Sequence, residues 1–314
     1  MQSGSCLQTR EFLAYIADNA PVGIHRGGYN GLASLITRRT GNNLFVPSYA
    51  GLNYETIWLA GLSQYTHDSG SKFEPRCEPM RVDSVDEHRV VLVQPETAHA
   101  HVSARITFRV EEPHYLHQHI ELVFHRRFCA DDEQNSFHSL WASYIHMPPD
   151  RHIYTQLDGA ASALADWVGI TKEDHSAKEL LVRPLPNDRE LQAAEHLGVM
   201  MSSQPATAEP VLPSALAPME LPARLGGPLR FYYGFCHDDQ LLLKMFKQPE
   251  RFRLAYSPNG GGKLPEWSPA WDFVLHLEDA QLERTYSWDL CLVVKAYRGR
   301  ADVLNEIRRY QSLG

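Results

Sequence analysis

The amino-acid sequence predicts a mainly β protein: a large antiparallel β-sandwich with a few short helices and a C-terminal helix. Three observations predict it. Apolar and polar residues alternate with period two over two neighbouring ten-residue stretches, so each strand offers one face to a core and one outward. Similar β patterning recurs on both sides of a proline-rich stretch at 202–228. That favours one sandwich over residues 1–314, with the proline-rich stretch as a surface loop or insertion. A chain of 314 residues with 43% hydrophobic content also suffices to bury a large core.

Residues 10–18 (REFLAYIAD) carry Phe12, Leu13 and Ile16 at helical spacing and predict a short amphipathic helix. GLASLITRRTGNNLFVP reads as strand, turn at Thr40-Gly41-Asn42, then strand, and residues 88–94 (HRVVLVQ) give another strand. In HVSARITFRV, Val102, Ala104, Ile106, Phe108 and Val110 alternate with polar residues. In YLHQHIELVFHRRF, Leu116, Ile120, Leu122 and Phe124 share one face, while Tyr115, His117, His119, Glu121 and His125 share the other. Glu111-Glu112-Pro113-His114 supplies the turn of a hairpin. Apolar residues must face apolar ones, which pairs Ile106 with Ile120 and Val102 with Phe124. The same register sets Arg105 opposite Glu121, Thr107 opposite His119 and His101 opposite His125.

Residues 158–169 and 187–197 carry helical patterns, the second with a capping box from Asn187 to Glu190. Strands resume at FYYGF, LLLKMF, RFRLAY, AWDFVLHL and TYSWDLCLVVKAY. A final helix places Val303, Leu304, Ile307 and Tyr310 on one face.

Composition narrows the function classes. The formal charge is −8 and no Lys/Arg block occurs, which speaks against a nucleic-acid or anionic-membrane partner. Five widely spaced cysteines with no Cys-x-x-Cys read as reduced thiols, so a cytoplasmic location is expected. The N-terminus shows no signal-peptide pattern, and no run has the roughly 18 apolar residues of a membrane helix. The 16 histidines are the unusual count, since imidazoles bind sugars and metals and transfer protons near neutral pH.

Several constellations carry candidate chemistry. His117, His119 and Glu121 form His-x-His-x-Glu on one strand face, about 6.6–7 Å apart. That face suits acid–base work on a sugar, or a divalent metal in a cupin-like protein, and reads equally as the solvated side of a hairpin. SLWASYIHMPPDRHIY sets Trp141, Tyr144, His146, Asp150 and His152 around a Pro-Pro turn. Aromatic rings beside His and Asp are the groups a pyranose site uses, and buried structural aromatics explain the pattern as well. Tyr233 and His237 stand in RFYYGFCHDD. Asp272 interrupts the aromatic run around Trp271, as a site residue or a capped core carboxylate. Near Gly27-Gly28 and Gly31, the groups His25, Arg26, Asn30, Asn53 and Glu55 offer hydrogen bonds beside tight turns. Three glycines at 260–262 lack the ending of a phosphate loop, and no Gly-x-Ser-x-Gly elbow occurs.

NGLASLITRRTGNNLF resembles the opening strands of galactose-mutarotase-like proteins, where glycine, small residue, strand, basic turn, glycine and strand recur. The hairpin at 101–128 and the closing strands at 271–297 fit the same β-supersandwich. The resemblance implies a concave, sugar-binding sheet, in a family of aldose epimerases, glycoside-cleaving enzymes and polysaccharide lyases. In the epimerases, histidines and a late glutamate move the protons of ring opening. Their histidine motifs are not recognisable here, and the late strand offers Asp272 and His276, so the resemblance assigns no catalytic residue.

The expectation is therefore a carbohydrate-active protein, an enzyme with His119, Glu121 and His146 as acid–base residues. Arg76, Arg105, Tyr233, His237, Trp271 and Asp272 would contact a small or oligomeric carbohydrate. No cofactor is expected. The alternatives are a divalent metal on His117, His119 and Glu121, or a sugar-binding module without catalysis.

Overall fold

The structure is a computed structural model that describes residues 4–19, 29–47, 51–59, 73–127, 135–156, 167–172, 181–184, 209–210, 228–237, 240–258 and 268–313. The first strands are β1 (Gly4–Gln8), β2 (Phe12–Ala17), β3 (Gly31–Thr37) and β4 (Leu52–Leu59), followed by a short helix, α1 (Glu74–Cys77). Next come β5 (Arg81–Val85), β6 (Arg89–Gln94), β7 (Val102–Glu111), β8 (Tyr115–Phe124), β9 (Phe137–Ala142) and β10 (Ile153–Gln156). Then follow β11 (Trp167–Thr171), β12 (Leu181–Pro184), β13 (Glu209–Pro210), β14 (Phe231–Phe235) and β15 (Gln240–Phe246). The chain closes with β16 (Phe252–Ser257), β17 (Ala270–Leu277), β18 (Thr285–Ala296) and α2 (Arg300–Ser312).

Among the described residues, the strands form two antiparallel sheets. One has seven strands in the order β1-β2-β3-β4-β9-β17-β16. The other has eleven, β13-β12-β11-β10-β14-β15-β18-β8-β7-β6-β5. The predicted hairpin is β7–β8, with the predicted register: Ile106 pairs with Ile120, Val102 with Phe124, Arg105 with Glu121 and Thr107 with His119. His101 and His125 continue it through a backbone hydrogen bond of 2.8 Å. Burial of an apolar side chain is worth roughly 1.5–3 kcal/mol, and a one-residue slip would expose the whole apolar face.

Three local expectations are corrected. The segment expected as a helix at 10–18 is strand β2. Its Phe12, Ala14 and Ile16 are fully buried at alternate positions, and β1 and β3 hydrogen-bond it on both sides. Phe12 and Ile16 satisfy a period of two as well as a helical one, and the sheet decides between them. The end of the expected helix at 158–169 is also strand, since Trp167–Gly169 opens β11. Residues 43–45 make only isolated bridges to Ile36 and Ile145, because the Asn43 carboxamide accepts the N–H groups of Leu35 and Phe45. Residues 187–197, 158–166 and most of 202–228 lie outside the described residues. Glu209–Pro210 is an edge strand on β12.

The main core lies between the sheets and includes Trp141, Trp271, Phe273, Ile106 and Ile120. A second apolar layer covers the outer face of the eleven-stranded sheet, where Val303, Ile307 and Tyr310 of α2 meet Leu243, Met245 and Val293. A polar lock fastens α2. The Glu306 carboxylate accepts Tyr115 Oη at 2.7 Å and Lys295 Nζ at 2.7 Å, with His114 Nε2 at 3.4 Å. Burial pushes Glu306 up, but these neighbours outweigh it and hold the carboxyl at about 2.

This gives a pH prediction. A carboxyl depressed in the folded state contributes stability that is present above its ordinary value of 4.5 and lost as pH falls from there to about 2. The contribution is on the order of 3 kcal/mol. Glu306→Gln should thus lower the urea midpoint at pH 7 and flatten its fall between pH 5 and pH 2, with denaturation followed by circular dichroism at each pH. Parallel pH curves for the two proteins would contradict the assignment.

Candidate functional site

The histidine face of β8 lies on the outside of the eleven-stranded sheet, on the same side as α2. Its histidines do not converge. Each takes its own carboxylate: His117 with Glu111 at 3.0 Å, His119 with Asp289 at 2.7 Å, His125 with Glu283 at 3.1 Å, and nearby His101 with Glu96 at 2.7 Å. The hydrogen bond to Asp289 raises the His119 pKa. Burial and the Arg109 charge lower that of His117. Glu121 lies 3.9 Å from Arg105, which also reaches Asp83 at 3.3 Å. No group of three or more His, Cys, Asp or Glu residues suited to holding a metal occurs among the described residues. His117, His119 and Glu121 are thus not gathered around one point.

Nor does His119 meet His146. The His146 backbone carbonyl accepts His237 Nε2 at 2.9 Å. His237 sits in the β14–β15 turn, which ends at Gln240 opposite Ala296 of β18. His119 lies opposite Asp289 of that strand. That separation of seven residue steps corresponds to about 23 Å along the strand. Tyr233 belongs to the layer beneath α2, stacked on Tyr154 and Tyr297.

A different set of groups gathers on the outer face of the seven-stranded sheet. Gly31 pairs with Asn53, Asn53 with Ala142, and Asp272 with Ala255. One step beyond the Phe273–Trp141 pair sets Ala142 beside Asp272. Residues directly opposite each other share a face, so Asn53 and Asp272 stand about 10 Å apart across a floor of small side chains. The side chains of the row are buried, Asn53 and Ala142 fully and Asp272 nearly so.

Polar atoms crowd this row. The Ser143 N–H donates to Asp272 Oδ1 at 2.7 Å. Glu55 is the extra residue of a β-bulge between Tyr54 and Thr56, and Tyr144 Oη donates to both of its oxygens, at 3.0 and 3.1 Å. Bulges re-aim side chains beside functional sites. Both polar atoms of Asn53, the Ser143 hydroxyl and His146 Nδ1 are buried without a partner. Each such atom costs about 1–3 kcal/mol. Of these, the Asn53 atoms and the Ser143 hydroxyl stand beside Ala142 and Asp272, where a polar ligand would find partners.

Beneath the row, Trp271 faces the core. Its carbonyl accepts Lys244 Nζ at 2.7 Å and Tyr232 Oη at 2.8 Å. A Cβ on Gly234 would lie 2.2 Å from the Trp271 ring, so only glycine admits it. Burial pushes the Asp272 carboxyl well above the usual carboxylate range and the Glu55 charge pushes it further, against the Ser143 N–H and Lys244. Burial and then the neighbouring His237 lower the His146 pKa, which favours neutral imidazole. Arg76 is buried in α1. That helix is fastened to β4 by Asn30, whose amide donates to the carbonyls of Pro75 and Tyr54.

Of the residues singled out in the sequence, Asp272, His146, His237 and Trp271 share this end of the sandwich. Asn53 and Glu55 were visible only as hydrogen-bonding groups near turns, and Lys244 was missed. A lone lysine in the apolar run LLLKMF was its signal.

No family model matches the sequence, and no curated protein matches it. Solved structures do match. An aldose 1-epimerase candidate from Escherichia coli K12 superimposes with a TM-score of 0.55 at 10% identity, over 95% of this chain and 100% of that one. An α-N-acetylgalactosaminidase from Bifidobacterium bifidum superimposes with a TM-score of 0.50 at 11% identity, over 98% of this chain. This chain spans only 38% of that enzyme. The protein therefore has the galactose-mutarotase-like β-sandwich fold. No helix among the described residues is long and apolar enough to cross a membrane.

Proposed function

We propose that the protein is a carbohydrate-active enzyme of the aldose-epimerase type, acting at the anomeric centre of a free sugar. The observation that carries this reading is the buried pair of carboxyls, Asp272 and Glu55, beside the unpartnered polar atoms of Asn53 and Ser143. A sugar offers the hydroxyls that those atoms lack, and two carboxyls in different surroundings can divide acid and base roles. Glu55 takes the proton of the anomeric hydroxyl as the bond from C1 to the ring oxygen breaks, and Asp272 gives its proton to that oxygen. Rotation about C1–C2 and the reverse transfers close the other anomer. His146 and His237 line the approach, and Arg76 contacts a hydroxyl. The His119–Asp289 and Arg105–Glu121 pairs take no part.

The test is exchange NMR between the anomers of D-glucose, D-galactose, D-mannose and L-fucose with purified protein at pH 7. At least one sugar should exchange at a rate proportional to protein concentration. Uncatalysed rates for every sugar, with no thermal stabilisation by any, would end this reading.

A further inference from the structure

Lys244 is fully buried, and it comes from the sheet opposite Asp272. Its hydrogen-bond acceptor is the Trp271 carbonyl at 2.7 Å, and its ammonium lies 5.2 Å from the centre of the Tyr232 ring. Neither partner is a carboxylate. A buried ammonium without a counter-charge is costly. The carboxyl that answers it belongs to Asp272, the residue next in the chain to its acceptor. The groups acting on the pair are Cys236 beyond β14 on Lys244, and Glu55 of β4 and the Ser143 N–H on Asp272. Tyr232, which shares the Trp271 carbonyl with Lys244, completes the set.

We propose that Lys244 is a positioning residue for Asp272, holding the Trp271 carbonyl from the opposite sheet and answering the Asp272 charge from the core side. This rests on the anomeric-centre reading for its catalytic meaning, but not for its physical content. Lys244 touches no substrate. It acts through the backbone that aims Asp272 and through a charge on the core side of the sheet.

The first arm of the test needs no sugar. Lysines labelled with ¹³C at Cε are followed by NMR against pH in the native chain and in D272N, with Lys244→Met to assign the signal. The Lys244 signal should titrate well below the ordinary lysine value of about 10.4, and lower still in D272N. A titration in the ordinary range, or one unmoved by D272N, overturns the proposal whether or not the sugar reading stands.

The second arm uses a sugar that exchanges. Lys244→Met should lower kcat about tenfold with little change in KM. It should also move the pH limb set by Asp272 upward by about one unit, since a cation that favoured the carboxylate is gone. Lys244→Arg, which keeps the charge, should return that limb toward its native position. A limb that stays in place in Lys244→Met overturns the positioning role. If Lys244→Met does not fold, Lys244→Arg assigns the signal as the one lysine resonance it removes, and the first arm decides.

Discussion

Replacing Asp272 by Asn should lower the catalysed exchange of sugar anomers by about 10²–10⁴-fold, the range over which a positioned proton-transfer group acts. The carboxyl is nearly fully buried, accepts the Ser143 N–H at 2.7 Å, and is held well above the usual carboxylate range by burial and then by Glu55. It can therefore keep a proton to donate near neutral pH, which an exposed aspartate cannot. Asparagine keeps the shape and the acceptor oxygen but cannot give up a proton in the same way. The effect should fall on kcat more than on KM. Exchange NMR gives the rate and thermal denaturation gives the fold. Turnover within threefold of the native protein would remove Asp272 from the chemistry.

Trp141→Ala should destabilise the protein by about 3–5 kcal/mol, the range for deleting a large buried aromatic side chain. Trp141 is fully buried in β9, the strand between β4 and β17. Its ring stacks on Tyr54 at 5.1 Å and on Phe273 at 6.1 Å, so it joins three strands on their core face. Its neighbours in those strands are Ala142, the floor of the site, and Asp272. Alanine would leave a cavity directly beneath that row. The urea midpoint should fall with an unchanged slope, as it does when stability changes without a change in the surface exposed. A midpoint unchanged within error would mean that the sheet repacks without the ring.

The histidine face shows where sequence reading succeeds and where it stops. Alternation fixes which residues share a face of β8, and matching apolar positions fixes the hairpin register, because both follow from local geometry with a period of two. Neither reveals what faces the polar side. There Asp289, Glu283, Glu111 and Glu96 arrive from other strands and turns and divide the histidines into separate pairs. Helical spacing misled at residues 10–18 for a related reason. A six-residue strand flanked by two partners satisfies its backbone hydrogen bonds in the sheet, whatever its side-chain period suggests.

The sandwich class, the β7–β8 pairing, the C-terminal helix with its buried face, and the oddity of Asp272 within an aromatic run are all written in the amino-acid order. That Asp272 shares one small-floored row with Asn53, with Glu55 turned toward it by a bulge, emerges only from strand pairing. The reach of Lys244 from the other sheet to the carbonyl beside Asp272 likewise comes from the facing of the two sheets. Strand periodicity is written within a few residues of sequence. The meeting of residues 53, 55, 144, 244 and 272 depends on how distant strands pair and how two sheets face each other, and no local pattern encodes that.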